Sequence, residues 1–372
     1  MITFDHVSKR YDDGTLAVDD LSLECATGEI TVLVGSSGCG KTTSLRMINR
    51  LVEPTSGTVS IDGTDVRSSD PARLRRMIGY VIQQGGLFPH RTVIENIATV
   101  PRLLGTPRPQ ARQRAQELMD LVGLPSSMAK RYPYQLSGGQ QQRVGVARAL
   151  AADPPLLLMD EPFSAVDPVV RKELQQELLN LQSQLGKTIV FVTHDIDEAV
   201  RLGDRIAVMQ VGGKLVQFDT PERVLARPAN AFVESFLGLD RGIKWLSFFP
   251  AKELPLRLPA TIGPASGPVD VHRVAAAAAS EWVLAVDGDR RPLGWLEAAA
   301  LNGASSGTVD LGSLRSIGHA FSPATDSLRA ALDALVLSPA GLAVGVDSGG
   351  ALVGVANQDD INNAIQTAAA DS

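Results

Sequence analysis

Residues 30–43 read Ile30-Thr31-Val32-Leu33-Val34-Gly35-Ser36-Ser37-Gly38-Cys39-Gly40-Lys41-Thr42-Thr43. The first five are apolar or β-branched and end at a glycine, which reads as a buried strand. Gly35 to Thr42 fits GxxxxGK[ST], and a helix is predicted from Lys41 to Val52, stopped by Pro54. Strand, glycine-rich loop and helix in this order form the context of a phosphate-binding loop. Glycines let backbone N–H groups turn inward around a polyphosphate, and the helix start adds positive potential. In such a loop Lys41 reaches the β- and γ-phosphates and the Thr42 hydroxyl holds Mg²⁺. An incidental Gly-Ser turn has no need of both the strand and the helix.

Two more apolar runs, Leu156–Met159 and Ile189–Val192, read as strands buried on both faces of a parallel sheet. The first leads into Asp160-Glu161-Pro162. Asp160 stands where a strand-end carboxylate holds Mg²⁺, and Glu161 is placed to polarise an attacking water. Between the two runs, Val169 to Leu185 has helical periodicity with Gly186 as its stop. Val59-Ser60-Ile61 followed by Asp62-Gly63 reads as a strand entering a tight hairpin. Strands alternating with helices predict an α/β layered domain.

Just upstream of the carboxylate strand stands Leu136-Ser137-Gly138-Gly139-Gln140-Gln141-Gln142-Arg143. It resembles the LSGGQ signature of ABC-type ATPases. The resemblance covers about residues 1–240 in family order. It implies a P-loop nucleotide-binding domain with a RecA-like α/β core, an antiparallel β subdomain and a helical subdomain. In that family the signature of one copy and the phosphate loop of another sandwich ATP, so a head-to-tail homodimer is implied. Tyr11 matches the aromatic residue that stacks on adenine. Gln83, after Tyr80-Val81-Ile82, matches the Q-loop glutamine, which senses Mg²⁺ and couples to the membrane partner; the adjacent Gln84 leaves that register open. Ser164-Ala165-Val166-Asp167 is similar to the D-loop, with Val for the usual Leu. His194, followed by Asp195 and by Asp197-Glu198-Ala199, matches the switch histidine of importer ATPases.

The resemblance thus implies a nucleotide site of Tyr11, Gly35, Ser36, Ser37, Gly38, Cys39, Gly40, Lys41, Thr42 and Thr43. Ser137, Gly138, Gly139, Gln140 and Asp167 complete it. Thr42, Gln83 and Asp160 would hold Mg²⁺, and Glu161, His194, Lys41 and Gln83 would serve catalysis. Cys39 reads as a small filler at a variable loop position. The helix start beside it predicts a lowered thiol pKa, and alkylation there is expected to block ATP binding.

At 372 residues the chain is long enough for two or three domains. Hydrophobic residues at 44% and charged residues at 20% exclude a wholly disordered, collagen-like or coiled-coil chain. Two cysteines, Cys25 and Cys39, cannot form a disulfide framework and fit no CxxC metal pattern, so a reducing compartment is expected. No apolar run approaches the roughly 18 residues of a membrane helix. The N-terminus shows neither a basic nor a long apolar signal segment. The net charge of −6 argues against nucleic acid as a partner. Of the 35 basic and 41 acidic residues, 7 and 13 lie beyond Pro250, which leaves the first 250 residues neutral with 28 of each.

That step, with prolines at 250, 255, 259, 264 and 268, suggests an ATPase domain over 1–240, a linker over 241–253 and a second module over 254–372. The module carries a faint repeat. Trp282–Asp287, a Gly288 turn and Pro292–Leu296 are echoed about 60 residues later by Leu342–Asp347, a Gly349-Gly350 turn and Leu352–Ala356. Two unrelated hairpins would be the alternative. The stretch Ile78 to His90 and the joint from Phe232 to Gly242 are similar to ATPases of the quaternary-amine osmoprotectant importers, which take up glycine betaine, choline, carnitine or proline. Those members often end in a tandem CBS module, an α+β unit that the repeat resembles. Nucleotide-binding CBS modules carry Gly-apolar-apolar-[Thr/Ser]-x-x-Asp. The second repeat has Gly354-Val355-Ala356-Asn357-Gln358-Asp359-Asp360, and the first, Gly294-Trp295-Leu296-Glu297-Ala298-Ala299-Ala300, is degenerate. The resemblance implies an ATPase on the cytoplasmic face of a bacterial membrane, with ATP and Mg²⁺. Its partners would be an integral membrane permease and an extracytoplasmic substrate-binding protein or domain. An ATPase of another importer (amino acid, polyamine or sugar) or of an exporter would share the same site.

Overall fold

The strand at residue 30 lies in the middle of a sheet whose parallel strands end along one edge. We describe the chain from a computed structural model covering residues 1–83, 86–164, 166–301 and 311–370. It divides into two compact units, Met1–Gly238 and Leu239–Ser372.

The first unit opens with β1 (Ile2–Arg10) and β2 (Leu16–Cys25), then β3 (Ile30–Gly35), α1 (Lys41–Ile48), β4 (Ser56–Ile61) and β5 (Thr64–Asp65). Strands β1, β2, β4 and β5 make an antiparallel sheet in the order β2-β1-β4-β5. Asp62 and Gly63 both take positive φ, +49° and +76°, as the tight turn between β4 and β5 demands. Helix α1 is shorter than its expected run to Val52. Asn49 caps it and Arg50 turns left-handed at φ +54°, so the chain leaves the helix before Pro54.

Next come α2 (Pro71–Arg76) and β6 (Ile78–Val81), then α3 (Val93–Ile97), α4 (Thr99–Leu103), α5 (Arg108–Leu121) and α6 (Gly138–Leu150). They are followed by β7 (Leu156–Asp160), α7 (Pro168–Leu185), β8 (Thr188–Thr193), α8 (Ile196–Leu202), β9 (Arg205–Gln210), β10 (Lys214–Asp219), α9 (Pro221–Ala226) and α10 (Ala231–Leu237). The second sheet runs β10-β9-β3-β8-β7-β6, parallel throughout except for β10. Every residue of β3, β7 and β8 is buried, which accounts for their unbroken apolar runs. Register sets the functional edge. Val34 lies opposite Thr193, and Asp160 opposite Val192. The loops after three neighbouring strands therefore leave the sheet side by side, where open α/β sheets bind ligands.

The segment read as a linker, 241–253, belongs to the second unit. It forms α11 (Arg241–Trp245) and two 3₁₀ turns, and Leu246, Ala251 and Leu254 are buried with Phe321, Leu328 and Ala331. Pro250 caps the second of these turns at φ −68°, where its fixed φ is useful, and the apolar residues on either side of it join a core. Beyond lie β11 (Thr261–Ile262), α12 (Pro268–Ala277), β12 (Trp282–Val286) and β13 (Pro292–Glu297). The same succession follows in β14 (Ala320–Phe321), α13 (Leu328–Leu337), β15 (Ala343–Val346) and β16 (Leu352–Ala356), and α14 (Gln358–Ala370) closes it. Both three-stranded sheets pair a short parallel strand with an antiparallel hairpin. Both hairpin turns use one device: an Asp287 oxygen accepts from the amides of Asp289 and Arg291, and an Asp347 oxygen from those of Gly349 and Ala351. The segment leading into each repeat pairs with the other repeat's hairpin, Arg257 with Val355 and Arg315 with Trp295. These exchanges mark a genuine repeat and knit its halves together.

Trp295 is the largest fully buried side chain, packed with Leu284, Val344, Leu352 and Val355 from both hairpins. Trp295→Ala is expected to cost about 3–5 kcal/mol by removing a core aromatic shared by the repeats. Denaturant unfolding followed by circular dichroism measures it. A loss below about 1 kcal/mol would show that the hairpins do not depend on this contact.

Candidate active site

The phosphate-loop sequence turns tightly for visible steric reasons. Gly40, the N-cap of α1, takes φ +94°, and a Cβ there would run into the carbonyl of Ala17. Gly38, at φ +79°, is likewise left-handed. Lys41 is buried and its ammonium donates to the carbonyls of Gly35 at 2.7 Å and Ser36 at 2.9 Å, so the lysine folds back over its own loop. Ser37, Gly38, Gly40, Lys41, Thr42 and Thr43 line one cleft with Ala17 and Glu161. The amides that open α1 have no intrahelical acceptor and are available to a ligand in that cleft.

The carboxylate strand meets the loop. Thr42 Oγ1 donates to Asp160 Oδ1 at 2.8 Å. The second oxygen of Asp160 receives the Tyr80 hydroxyl at 3.3 Å and lies 3.8 Å from the Arg46 guanidinium. Burial pushes the Tyr80 hydroxyl's pKa up, and its hydrogen bond to Arg46 raises the guanidinium's further. Tyr80 and Arg46 were missed by the sequence reading. The only signal was a hydroxyl within the otherwise apolar β6 and a charge between Leu45 and Met47 of α1.

Glu161 stands at the end of β7 with φ +45°, a left-handed conformation disfavoured for a residue with a Cβ, held by its N–H to the Val192 carbonyl at 3.0 Å. Its carboxylate Oε2 receives Gln83 Nε2 at 3.0 Å and lies 3.2 Å from His194 Nδ1. Gln83 and His194, 111 positions apart, thus meet on one carboxylate oxygen. Gln84 and Ala165 lie outside the described residues, so the register question is answered only for Gln83.

Behind His194 sits a second carboxylate. Glu198 is buried and receives Thr193 Oγ1 at 2.6 Å and Gln175 Nε2 at 3.2 Å. Burial holds its pKa above the usual glutamate value. Asp195 caps α8 through the amides of Asp197 and Glu198. Arg171, another residue the sequence reading passed over, approaches both carboxylates.

Other expected site residues lie apart. Tyr11 is exposed at the end of β1, its hydroxyl 3.5 Å from Thr43 Oγ1 and Lys9 over its ring. Ser137 caps α6 in a reciprocal capping box with Gln140, and Ser137 and Gly138 are exposed. Gly139 is buried, and a Cβ there would press on Val170. Asp167 caps α7 through the amide of Val169. None of Ser137, Gly138, Gly139, Gln140 and Asp167 lines the cleft formed by the phosphate loop of the same chain.

Cys39 corrects an expectation. The helix start was expected to lower its thiol pKa. Instead the side chain is fully buried and burial pushes the pKa up, outweighing the nearby Lys41 charge.

The family model described as ABC transporter matches residues 18–164. The osmoprotectant import ATP-binding protein OsmV of Salmonella typhimurium is 44% identical over 376 residues, covering 97% of this chain and 95% of that one. The chain belongs to the ABC-transporter ATP-binding proteins. A carnitine transport ATP-binding protein of Listeria monocytogenes is 57% identical over 244 residues, 66% of this chain. A choline transport ATP-binding protein of Bacillus subtilis is 54% identical over the same length. Those alignments span 61% and 64% of the two relatives' own lengths. Among solved structures, a post-hydrolysis dimer of an ATP-binding cassette bound to ADP and Pi is 36% identical. It covers 59% of this chain and 99% of its own, at a TM-score of 0.54.

Both thiols of this ABC protein are buried, with Cys25 pushed up to about 12. Thiolate is the reactive form, so both are expected to resist iodoacetamide at pH 8 in the folded chain and to react fully once denatured. Mass spectrometry of the labelled protein reads this out. Rapid labelling of folded Cys39 would contradict its burial.

Proposed function

We propose that this chain is the ATP-hydrolysing subunit of a bacterial importer of osmoprotectants: the quaternary ammonium compounds glycine betaine, choline or carnitine, or the imino acid proline. The observation that carries the chemistry is the Thr42–Asp160 hydrogen bond at the foot of a glycine-walled cleft that also holds Glu161. The near full-length likeness to an osmoprotectant import ATP-binding protein supports the cargo class.

ATP is read as bound by Gly35 to Thr43, with Tyr11 against the base. Among the described residues no cluster of three or more His, Cys, Asp and Glu could hold a metal. The donors present suit Mg²⁺, an octahedral ion that takes oxygen ligands, needs only one or two carboxylates from the protein and shares its other positions with water and phosphate. Thr42, Asp160 and Gln83 would hold it, and it would supply charge neutralisation at the β- and γ-phosphates. Lys41 exchanges its loop carbonyls for phosphate oxygens. Glu161 takes the proton of the attacking water as general base. Gln83 and His194, both on its Oε2, hold the carboxylate in place.

Ser137, Gly138, Gly139, Gln140 and Asp167 are read as serving the cleft of a second copy, head to tail, in keeping with the dimeric cassettes among the structural neighbours. Among the described residues no helix is long and apolar enough to cross a membrane. The pair is therefore read as peripheral on the cytoplasmic face, driving a separate permease fed by an extracytoplasmic binding protein. The second unit is read as a tandem CBS module. Its Asp360, at the usual ribose-binding position, already receives Arg257 at 2.8 Å and forms reciprocal bonds with Asn357. A regulatory or pairing role suits it better than nucleotide binding.

Glu161→Gln is expected to lower kcat for ATP about 10²–10⁴-fold while ATP binding is retained. It should also abolish uptake of at least one labelled osmoprotectant in the host. Unchanged hydrolysis would remove Glu161 as the base. Unchanged uptake of all four compounds, in a host lacking other carriers, would overturn the cargo class.

A further inference from the structure

His194 is flanked by a frame of side chains that do not line the cleft of the phosphate loop. Thr193 Oγ1 donates to Glu198 Oε2 at 2.6 Å and accepts the N–H of Asp195 at 3.0 Å, so one hydroxyl grips the chain on both sides of His194. Two residues of α7 reach the same carboxylate. Gln175 Nε2 donates to Glu198 Oε1 at 3.2 Å, and Arg171 Nε lies 4.0 Å from it. The Arg171 guanidinium also stands 3.8 Å from Asp195 Oδ2 and donates to the carbonyl of Val166 at 3.1 Å. A continuous set of contacts thus runs from residues 166–167, which lead into α7, to residues 193–195. The small hollow among these groups is lined by Glu161, Ser164, Arg171, Thr193, His194, Asp195 and Glu198.

A buried carboxylate kept only for stability is a poor device, since apolar residues of similar volume commonly do as well or better. Glu198 is 5% exposed, yet its partners come from two elements that each adjoin an expected site residue: α7, capped by Asp167, and the end of β8, next to His194. We propose that Glu198 and Arg171 are positioning residues. They lock the start of α7 to the loop after β8, so that His194 keeps its place against Glu161 and responds to any movement of the Asp167 segment. This inference rests on the ATPase reading above and deepens it.

The test uses the full chain with Glu198→Gln, Arg171→Gln and the double variant. Steady-state ATPase kinetics should show kcat reduced roughly tenfold in each single variant with KM changed less than about twofold. The double variant should be no more than about twofold slower than the slower single one, because both substitutions break one unit. In ¹⁵N-histidine spectra, with the His194 signal assigned by His194→Gln, each single variant should move the imidazole resonances toward their position in Glu161→Gln. Unchanged kcat, multiplicative losses in the double variant, or unmoved His194 resonances would overturn the proposal. If Glu198→Gln fails to fold by circular dichroism, the more exposed Arg171 carries the same test alone. If wild type hydrolyses no ATP, the ATPase reading fails, and the spectra still decide whether the frame positions His194.

Discussion

The parallel pairing of β3, β8 and β7 is the constraint on which the rest of the first unit depends. Residues 34, 193 and 160 reach the same edge because Val34 pairs with Thr193 and Asp160 with Val192. A slip of one residue in either pairing would turn every side chain of the slipped strand to the opposite face. The Thr42 hydroxyl could then no longer meet Asp160, nor His194 meet Glu161. Burial of these strands on both faces is what makes such a slip costly, because each residue has a packed environment on its own side.

Around that edge the protein spends conformational freedom where the cleft requires it. Glycines at 38 and 40 carry the left-handed turns of the loop, and Glu161 takes one without that freedom, held by Val192. A strained glutamate at a strand end is a feature that folding stability alone does not ask for. The carboxylates are sorted by environment. Asp160 is buried under Thr42, Tyr80 and Arg46, Glu161 looks into the cleft with two neighbours on one oxygen, and Glu198 is buried behind the His194 loop.

Much of this was legible in the sequence. The loop from Gly35, the strand ending at Asp160 and the helix stopped by Gly186 each follow from a local rule of turn chemistry or periodicity. The hairpin of each β-α-β-β repeat was visible as strand, acidic residue, turn and strand, because Asp287 and Asp347 do the same local work, whereas the two-residue strands that open each repeat gave no signal. What was not legible was long-range or depended on burial. Arg171 gives no sign of its role until α7 is packed beside β8. The thiol of Cys39 was misjudged because helix position was weighed and burial was not. Residues 241–253 resembled a linker because a glycine-bearing joint opens them and prolines follow from Pro250 onward, yet Leu246 and Ala251 fill a core.

In the head-to-tail pair proposed above, each working site combines the phosphate loop of one copy with the Ser137–Gln140 signature of another. Mixing two inactive variants, Lys41→Ala and Ser137→Arg, tests it most directly. A head-to-tail pair of the two contains one cleft with both parts intact, so the mixture should hydrolyse ATP well above either variant alone. A mixture as inactive as its components, after exchange between copies has been verified, would contradict a site shared between two chains.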